Sequence, residues 1–299
     1  SALVLVGGSR IQLGMDVPLL RELTGMEPVQ LAIDGNSYGP VLKGLAEDAE
    51  FTGTVIVDFY EGTAINPPPD ALSTRYANRY RQQRAHFQSW NFDRIENMLE
   101  RQLKSHLRSY ADGARPLDSL LTRIAHQANV QQYLVTHPDR SRSADYARVP
   151  MPDFYFGRVM RNLGTNAPPA NSHFANPRAL NSELVRRIDA LPVAAPAAFA
   201  PQLAELQRWT QAIQRRGGKV ILLVMPSSGL VHEMERHSYP RNIFWDRIAR
   251  NFPAKMIHYE DYPALRDYRC PDGSHLDYRD KAGFTAAFVK QADLLRKQD

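Results

Sequence analysis

The chain has 299 residues, a net charge of +5, and 43% hydrophobic and 23% charged residues. This composition is typical of a globular protein, and no apolar run is long enough to span a bilayer. The single cysteine, Cys270, excludes an intramolecular disulfide and is expected to be a small buried side chain. The length allows one large α/β domain or a core domain with a substantial insertion.

The first ten residues, SALVLVGGSR, predict a strand, a tight glycine turn and then a helix over 15–23. In an open parallel sheet, ligands meet the protein at the carboxyl ends of the strands. The turn would place the Ser9 hydroxyl there as a nucleophile whose own N–H helps to bind an oxyanion. An ordinary turn, a nest of amides for a phosphate and a degenerate dinucleotide loop are the alternatives. Taken alone, the stretch favours an ordinary turn.

Four further strands are predicted at 29–33, 54–60, 219–225 and 255–259. Strands that alternate with helices favour a parallel sheet with right-handed crossovers. The α/β core is therefore predicted to comprise residues 1–60 and 201–299. Further helices are predicted from about residue 40, over 241–251, and from about 277, the last of which should bury Phe284, Phe288, Val289 and Leu295.

A mostly helical insertion at about 61–200 is expected to cap or flank the sheet. Residues 137–176 are polar and are interpreted as a loop, and 192–201, PVAAPAAFAP, as a stiff linker. Two apolar stripes at helical spacing predict helices in the first half of the insertion. They comprise Phe92, Ile95, Leu99, Leu103 and Leu107, then Leu117, Leu120, Leu121, Ile124 and Ala128.

Between Arg75 and Arg108 the insertion carries eight basic and three acidic residues, an excess as large as the net charge of the whole chain. Such a surface favours an acidic partner, and Arg79, Arg81 and Arg84 are predicted to bind an anionic glycan or a membrane surface. The alternative, given equal weight, is that these arginines only form the solvent-exposed faces of helices that pack on the sheet. Although aromatic residues are interleaved with the arginines, we expect no nucleic-acid partner.

The second informative stretch is CPDGSHL, at 270–276. Two residues separate Asp272 from His275, so on a turn the carboxylate can contact one ring nitrogen and leave the other to accept a serine proton. Ser9 is thus predicted as nucleophile, His275 as general base and acid, and Asp272 as the group that orients the histidine. No metal site is expected, because His232 and His237 are five residues apart and would not share a helical face. Their segment is expected to be an exposed, charged helix.

These stretches together resemble the SGNH (GDSL-like) hydrolase superfamily. GGSR around Ser9 resembles its first block, QLAIDGNS at 30–37 its second, and DGSHL at 272–276 its last. The resemblance implies a flavodoxin-like three-layer α/β/α domain with a parallel sheet. It also implies ester hydrolysis or acyl transfer through a serine acyl-enzyme, without a cofactor, and an oxyanion hole formed by the amides of Ser9 and Gly35.

One block departs from the family pattern. The family's third block, Gly-x-Asn-Asp after the third strand, should supply an asparagine amide to the oxyanion hole, but this chain has TVIVDFYEGT. Losing such a donor costs on the order of 3 kcal/mol of transition-state stabilisation unless it is replaced. Asn36 and Asn66 are the candidates to replace it. The departure resembles divergent SGNH-like proteins of bacterial envelope and exopolysaccharide pathways, some of which are acyltransferases.

The sequence therefore predicts a serine esterase or O-acyltransferase that acts on the acyl groups of a carbohydrate or exopolysaccharide. Acetyl is the acyl group that we expect first. Arg10, beside the serine, is a further candidate for substrate binding, and a membrane-bound acyltransferase is a candidate partner. The alternative is a non-catalytic SGNH-like protein that binds carbohydrate or assembles polysaccharide. Because no leader precedes the first strand, we expect a mature or trimmed chain, periplasmic or membrane-tethered, with a cytoplasmic location left open.

Overall fold

The computed structural model describes residues 2–65, 72–85, 133–165 and 173–296. The two apolar stripes predicted within 92–128 and the candidate Asn66 lie outside these residues. The strands are β1 (Ala2–Val6), β2 (Glu27–Gln30), β3 (Thr54–Asp58), β4 (Leu134–Thr136), β5 (Arg142–Ala144), β6 (Lys219–Val224) and β7 (Lys255–His258). Five of these strands form a parallel sheet in the order β2-β1-β3-β6-β7. The predicted α/β architecture with a parallel sheet is confirmed.

Helices flank this sheet, as a parallel sheet with two apolar faces requires. They are α1 (Ser9–Gly14), α2 (Val17–Thr24), α3 (Gly39–Glu47), α4 (Glu61–Ile65), α5 (Leu72–Ala85), α6 (Asp153–Asn162), α7 (Pro177–Asp189), α8 (Pro196–Arg215), α9 (Gly229–Ser238), α10 (Trp245–Ala249), α11 (Pro263–Arg266) and α12 (Lys281–Gln291). One group contains α1, α2 and α12, and another contains α3, α4, α5 and α8. The arrangement is compatible with three layers. Among the described residues, no helix combines the length and apolar character needed to cross a bilayer.

The order of the strands determines where a ligand can bind. From β1 the chain crosses through α2 to β2, and it then returns past β1 to β3 through α3. These two crossovers run in opposite directions, so right-handed connections leave a crevice at the carboxyl ends of β1 and β3. Ser9 follows β1, and Asp58 ends β3. The predicted nucleophile therefore lies at the switch point of the sheet.

The described parts of the insertion contain more regular structure than the sequence indicated. The segment interpreted as a loop, 137–176, includes β5 and α6, and β5 pairs with β4 in an antiparallel hairpin. Ala144, Tyr146 and Phe154 pack on Leu13 of α1, so burial of apolar side chains organises this polar segment. The predicted linker at 192–201 is also wrong, because α8 begins at Pro196. Proline is tolerated in the first turn of a helix, and the alanines that follow favour helix.

The other differences concern element boundaries. The second strand lies two residues earlier than predicted, the third ends at Asp58, and the helix expected over 241–251 is only α10. In α12, Phe284, Phe288 and Val289 are buried as predicted. Leu295 lies beyond the end of α12 and is 51% exposed, so its predicted burial is wrong.

Candidate active site

Three side chains from the two ends of the chain form a continuous hydrogen-bonded series. His275 Nε2 lies 2.7 Å from Ser9 Oγ, and His275 Nδ1 lies 2.8 Å from Asp272 Oδ2. Asp272 is fully buried and His275 is 4% exposed, whereas Ser9 is half-buried. The proximity predicted for Ser9, His275 and Asp272 is therefore present. This is the order of contacts that a serine nucleophile, its base and an orienting carboxylate require.

The turn before Ser9 is shaped by close contact with β3. Gly7 has φ +145°, and a Cβ there would lie 2.3 Å from the Cβ of Asp58. Asp58 Oδ2 accepts hydrogen bonds from the N–H groups of Gly8 at 3.3 Å and Ile11 at 3.4 Å. Burial raises the pKa of Asp58, although Arg10 and the two amides oppose that shift. Asp58 therefore supports the serine turn at the position where the resemblance required an asparagine donor.

The carboxylate of Asp272 is enclosed by donors, one of which, Arg158, comes from the insertion. Its Oδ1 accepts from the N–H groups of Ser274 at 2.9 Å and His275 at 2.8 Å, and the guanidinium of Arg158 lies 3.2 Å from its Oδ2. Burial and the nearby charge of Asp272 raise the pKa of the Tyr146 hydroxyl, which therefore stays protonated. Burial alone would raise the pKa of Asp272, but the contacts with His275, Arg158 and Ser274 hold it well below its usual range. Asp272 therefore remains ionised beside the imidazole.

Sequence reasoning missed both Arg158 and Tyr146. Arg158 lies on α6, in the segment that was interpreted as a loop, and Tyr146 follows β5. The backbone N–H of Tyr146 also donates to Asp277 Oδ2 at 3.0 Å, which attaches the hairpin to the His275 segment. No local motif marks these residues, since only the tertiary packing brings them to Asp272.

A cavity of about 200 Å³, here called the serine cavity, opens beside Ser9 and is also lined by Gly35 and Asn36. Gly35 has φ +68° and lies in the turn after β2, in the block predicted to contribute an oxyanion donor. The N–H of Asn36 donates to Ile33 O at 3.1 Å. Its side chain donates to Asp34 O at 2.8 Å and accepts from Ser73 N at 3.0 Å. Gly35 thus lies at the cavity beside Ser9, whereas Asn36 mainly holds the loop to α5.

Arg10 lines the serine cavity, and its guanidinium is held from two sides. It forms an ion pair with Glu235 of α9 and lies 5.0 Å from the ring centroid of Tyr60. Burial opposes the charge of Arg10, but Glu235 and Tyr60 raise the pKa of the guanidinium. The structure thus places a permanent cation beside the predicted nucleophile.

Of the three arginines predicted to bind a polymer, the structure describes the side chains of two. Arg79 is exposed on α5, and Arg81 Nε lies 3.6 Å from Glu47 of α3. The side chain of Arg84 lies outside the described part of the chain.

The segment with the two spaced histidines differs from the exposed helix that was expected. In α9, Val231 and Met234 are buried, His232 Nδ1 lies 2.9 Å from the hydroxyl of Tyr259, and His237 Nε2 lies 2.8 Å from Leu191 O. The apolar residues between the charges bury one face of the helix. Among the described residues, no group of three His, Cys, Asp or Glu side chains could hold a metal ion.

Fold and site together define a parallel α/β protein with a Ser–His–Asp series at the switch point of its sheet. Comparison with protein-family models, curated proteins and solved structures finds no match to this chain. The functional argument therefore rests on the residues themselves.

Proposed function

We propose that this chain is a serine esterase or O-acyltransferase of the SGNH type, with a flavodoxin-like core, and that Ser9 carries the acyl group. The observation that carries the proposal is the series Ser9 Oγ, His275 Nε2, His275 Nδ1 and Asp272 Oδ2, with contacts of 2.7 and 2.8 Å. The ionised, buried Asp272 supports it, because this carboxylate can stabilise the imidazolium that forms when His275 takes the serine proton.

The reaction takes place in two halves. Ser9 Oγ attacks the ester carbonyl while His275 Nε2 takes its proton, and the amides of Ser9 and Gly35 bind the oxyanion. As the tetrahedral intermediate collapses, His275 gives the proton to the departing alcohol and the acyl-Ser9 ester remains. A water or a second hydroxyl then attacks that ester, with His275 again taking the proton. Water gives hydrolysis, and a hydroxyl gives acyl transfer.

The size of the serine cavity favours a small acyl group. At about 200 Å³, it is smaller than the roughly 300–1,000 Å³ typical of pockets for drug-sized ligands. Acetyl is therefore our first choice of acyl group. The resemblance to SGNH proteins of envelope and exopolysaccharide pathways supports a carbohydrate as the alcohol, with a membrane-bound acyltransferase as a partner.

Turnover of p-nitrophenyl acetate tests the proposal. We expect Ser9→Ala and His275→Ala to lower kcat/KM at least 1,000-fold, in line with the effect of removing a triad member. Ser182→Ala, a matched change at an exposed serine of α7, should leave turnover unchanged. Turnover that does not depend on Ser9 would contradict the proposal. If glycan binding survived in that case, the non-catalytic alternative would replace it.

A further inference from the structure

A second, larger space adjoins the serine cavity. This groove, of about 590 Å³, lies between α3, α4, α5 and α8. It shares the lining residues Ser37, Tyr38 and Thr63 with the serine cavity, so the two spaces are neighbours. Its volume falls within the roughly 300–1,000 Å³ of typical ligand sites, whereas the serine cavity falls below that range. The groove therefore offers room, next to Ser9, for the part of an ester that the serine cavity cannot hold.

Two helix faces with helical spacing form opposite walls of the groove. These faces comprise Thr74, Ala77, Asn78 and Arg81 on α5, and Gln202, Glu205 and Trp209 on α8. The small side chains of α5 leave room that larger apolar residues would fill. The α5 wall is also attached to the serine cavity, because Ser73 N donates to Asn36 Oδ1 at 3.0 Å. The groove is therefore part of the architecture around Ser9.

The lining combines the aromatic ring of Trp209 with the polar side chains of Asn78 and Gln202. The Trp209 ring lies against Gly39, where a Cβ would come within 4.0 Å of the ring carbons. Trp209 Nε1 and Gln202 Oε1 have no hydrogen-bond partner within the described part of the chain. A hydroxylated sugar ring can pack its C–H face on an indole and offer hydroxyls to amides. A long acyl chain would instead cover Asn78 and Gln202 without compensating hydrogen bonds, which is costly.

The charges at the groove select between sugars. Lys43 Nζ and Arg81 Nε lie 3.8 and 3.6 Å from the same carboxylate, that of Glu47. Glu205 is paired with Arg208 at 2.5 Å. Three cations, Lys43, Arg81 and Arg208, face two carboxylates, Glu47 and Glu205, which leaves one excess positive charge. The contacts to Glu47 are long and join half-exposed side chains, so they are weak enough to rearrange. An acidic sugar is therefore favoured over a neutral one.

We infer that this groove binds the sugar unit that bears the ester, and that the sugar is a uronate-type ring held between Trp209 and the polar face of α5. The inference rests on the proposed function for the position of the ester, but binding in the groove does not require turnover. Arg81, predicted from the sequence as a substrate-binding residue, takes its place in this site.

Calorimetric titration of the full-length Ser9→Ala protein tests the inference without any catalysis. The probes are tetragalacturonic acid, cellotetraose and decanoate. We expect tetragalacturonic acid to bind, cellotetraose to bind more weakly and decanoate not to bind. Ala77→Phe, which fills the groove, and Asn78→Asp, which adds a repelling charge of similar shape, should each weaken the acidic tetramer at least 10-fold. Arg75→Phe, which adds the same ring to the exposed side of α5, should not weaken it.

Each outcome decides the inference separately from the proposed function. If Ala77→Phe and Asn78→Asp, both with unchanged circular dichroism, bind the acidic tetramer as tightly as the parent, the groove is not the site. Preferential binding of decanoate would overturn the sugar assignment, and preferential binding of cellotetraose would overturn the charge assignment. If the parent binds the acidic tetramer, both groove variants lose that binding, and no ester turnover depends on Ser9, the groove is supported and the proposed esterase is refuted. If ester turnover depends on Ser9 but the protein does not bind the tetramer, the esterase is supported and the groove is refuted.

Discussion

Replacing Arg158 with methionine removes a guanidinium that contacts the buried carboxylate of Asp272. The methionine keeps most of the apolar stem of the side chain, so the change chiefly deletes charge and donors. Asp272 would keep His275 Nδ1 and two backbone N–H groups as partners. The fold should therefore survive while the orienting carboxylate becomes less well stabilised.

The structure sets the size of this effect. Breaking a fully buried ion pair costs about 3–5 kcal/mol. The Arg158 side chain is 25% exposed whereas that of Asp272 is 0% exposed, so we expect a smaller loss, of about 1–3 kcal/mol in the free energy of unfolding. The folded-state pKa of Asp272 is lowered from 3.8, so its contribution to stability is present above that value and is lost as the pH falls through the folded pKa. Without Arg158 the folded pKa rises toward 3.8, so the pH-dependent contribution of Asp272 becomes smaller and its loss is complete at a higher pH.

Urea unfolding at neutral pH, followed by tryptophan fluorescence, measures this loss. A double-mutant cycle with Asp272→Asn isolates the pairwise contribution. Arg148→Met is the matched control, because Arg148 is 54% exposed in its ion pair with Asp145 and should contribute at most about 0.5 kcal/mol through that pair. A coupling energy between Arg158 and Asp272 no larger than that of the control pair would refute the reasoning.

Three further predictions concern the surroundings of the serine. Burial raises the pKa of Glu61 from 4.5 to about 7, so the free energy of unfolding should fall by about 3 kcal/mol as the pH rises through that window. Glu61→Gln should remove this pH dependence, which urea unfolding at a series of pH values measures. The same change of unfolding free energy with pH in both proteins would contradict the prediction. Gly7→Ala should lower the free energy of unfolding by more than about 3 kcal/mol, because the new Cβ would overlap Asp58, which ends β3. At Gly35 a new Cβ would have no atom within 4 Å, so Gly35→Ala should cost only about 1–2 kcal/mol for its left-handed backbone. Similar melting temperatures for the two glycine variants would count against that contact. Changing Arg79 and Arg81 together to Glu should weaken binding of polygalacturonate and flatten its salt dependence, and unchanged affinity at low salt would leave these arginines as solvating groups only.

The sequence predicts those parts of the site that depend on local structure. The run before Ser9 identifies β1, and the spacing of Asp272 and His275 already limits how a turn can join carboxylate and imidazole. The sheet was also predictable, since apolar runs alternate with helical periodicity at both ends of the chain. For these elements, short-range steric and hydrophobic rules dominate.

Other parts could not be predicted because they depend on contacts between distant segments. Arg158 and Trp209 carry no local signal of their partners, and Arg158 lies in a segment that the sequence predicts as a loop. The prolines of 192–201 indicate a linker, but the alanines and the buried Phe199 favour the helix that begins at Pro196. The role of Asp58 also required the structure, because only the close approach of Gly7 brings that carboxylate to the serine turn.

Labelling with a fluorophosphonate tests the central claim most directly, because such a reagent reacts with a serine only where a base activates the hydroxyl. We expect one label per chain on the native protein, mapped by peptide mass spectrometry to Ser9, and loss of that label in His275→Ala. Asp272→Asn should slow the labelling because the imidazole would favour the wrong tautomer. Labelling at another serine, or labelling of Ser9 that persists in His275→Ala, would contradict the account.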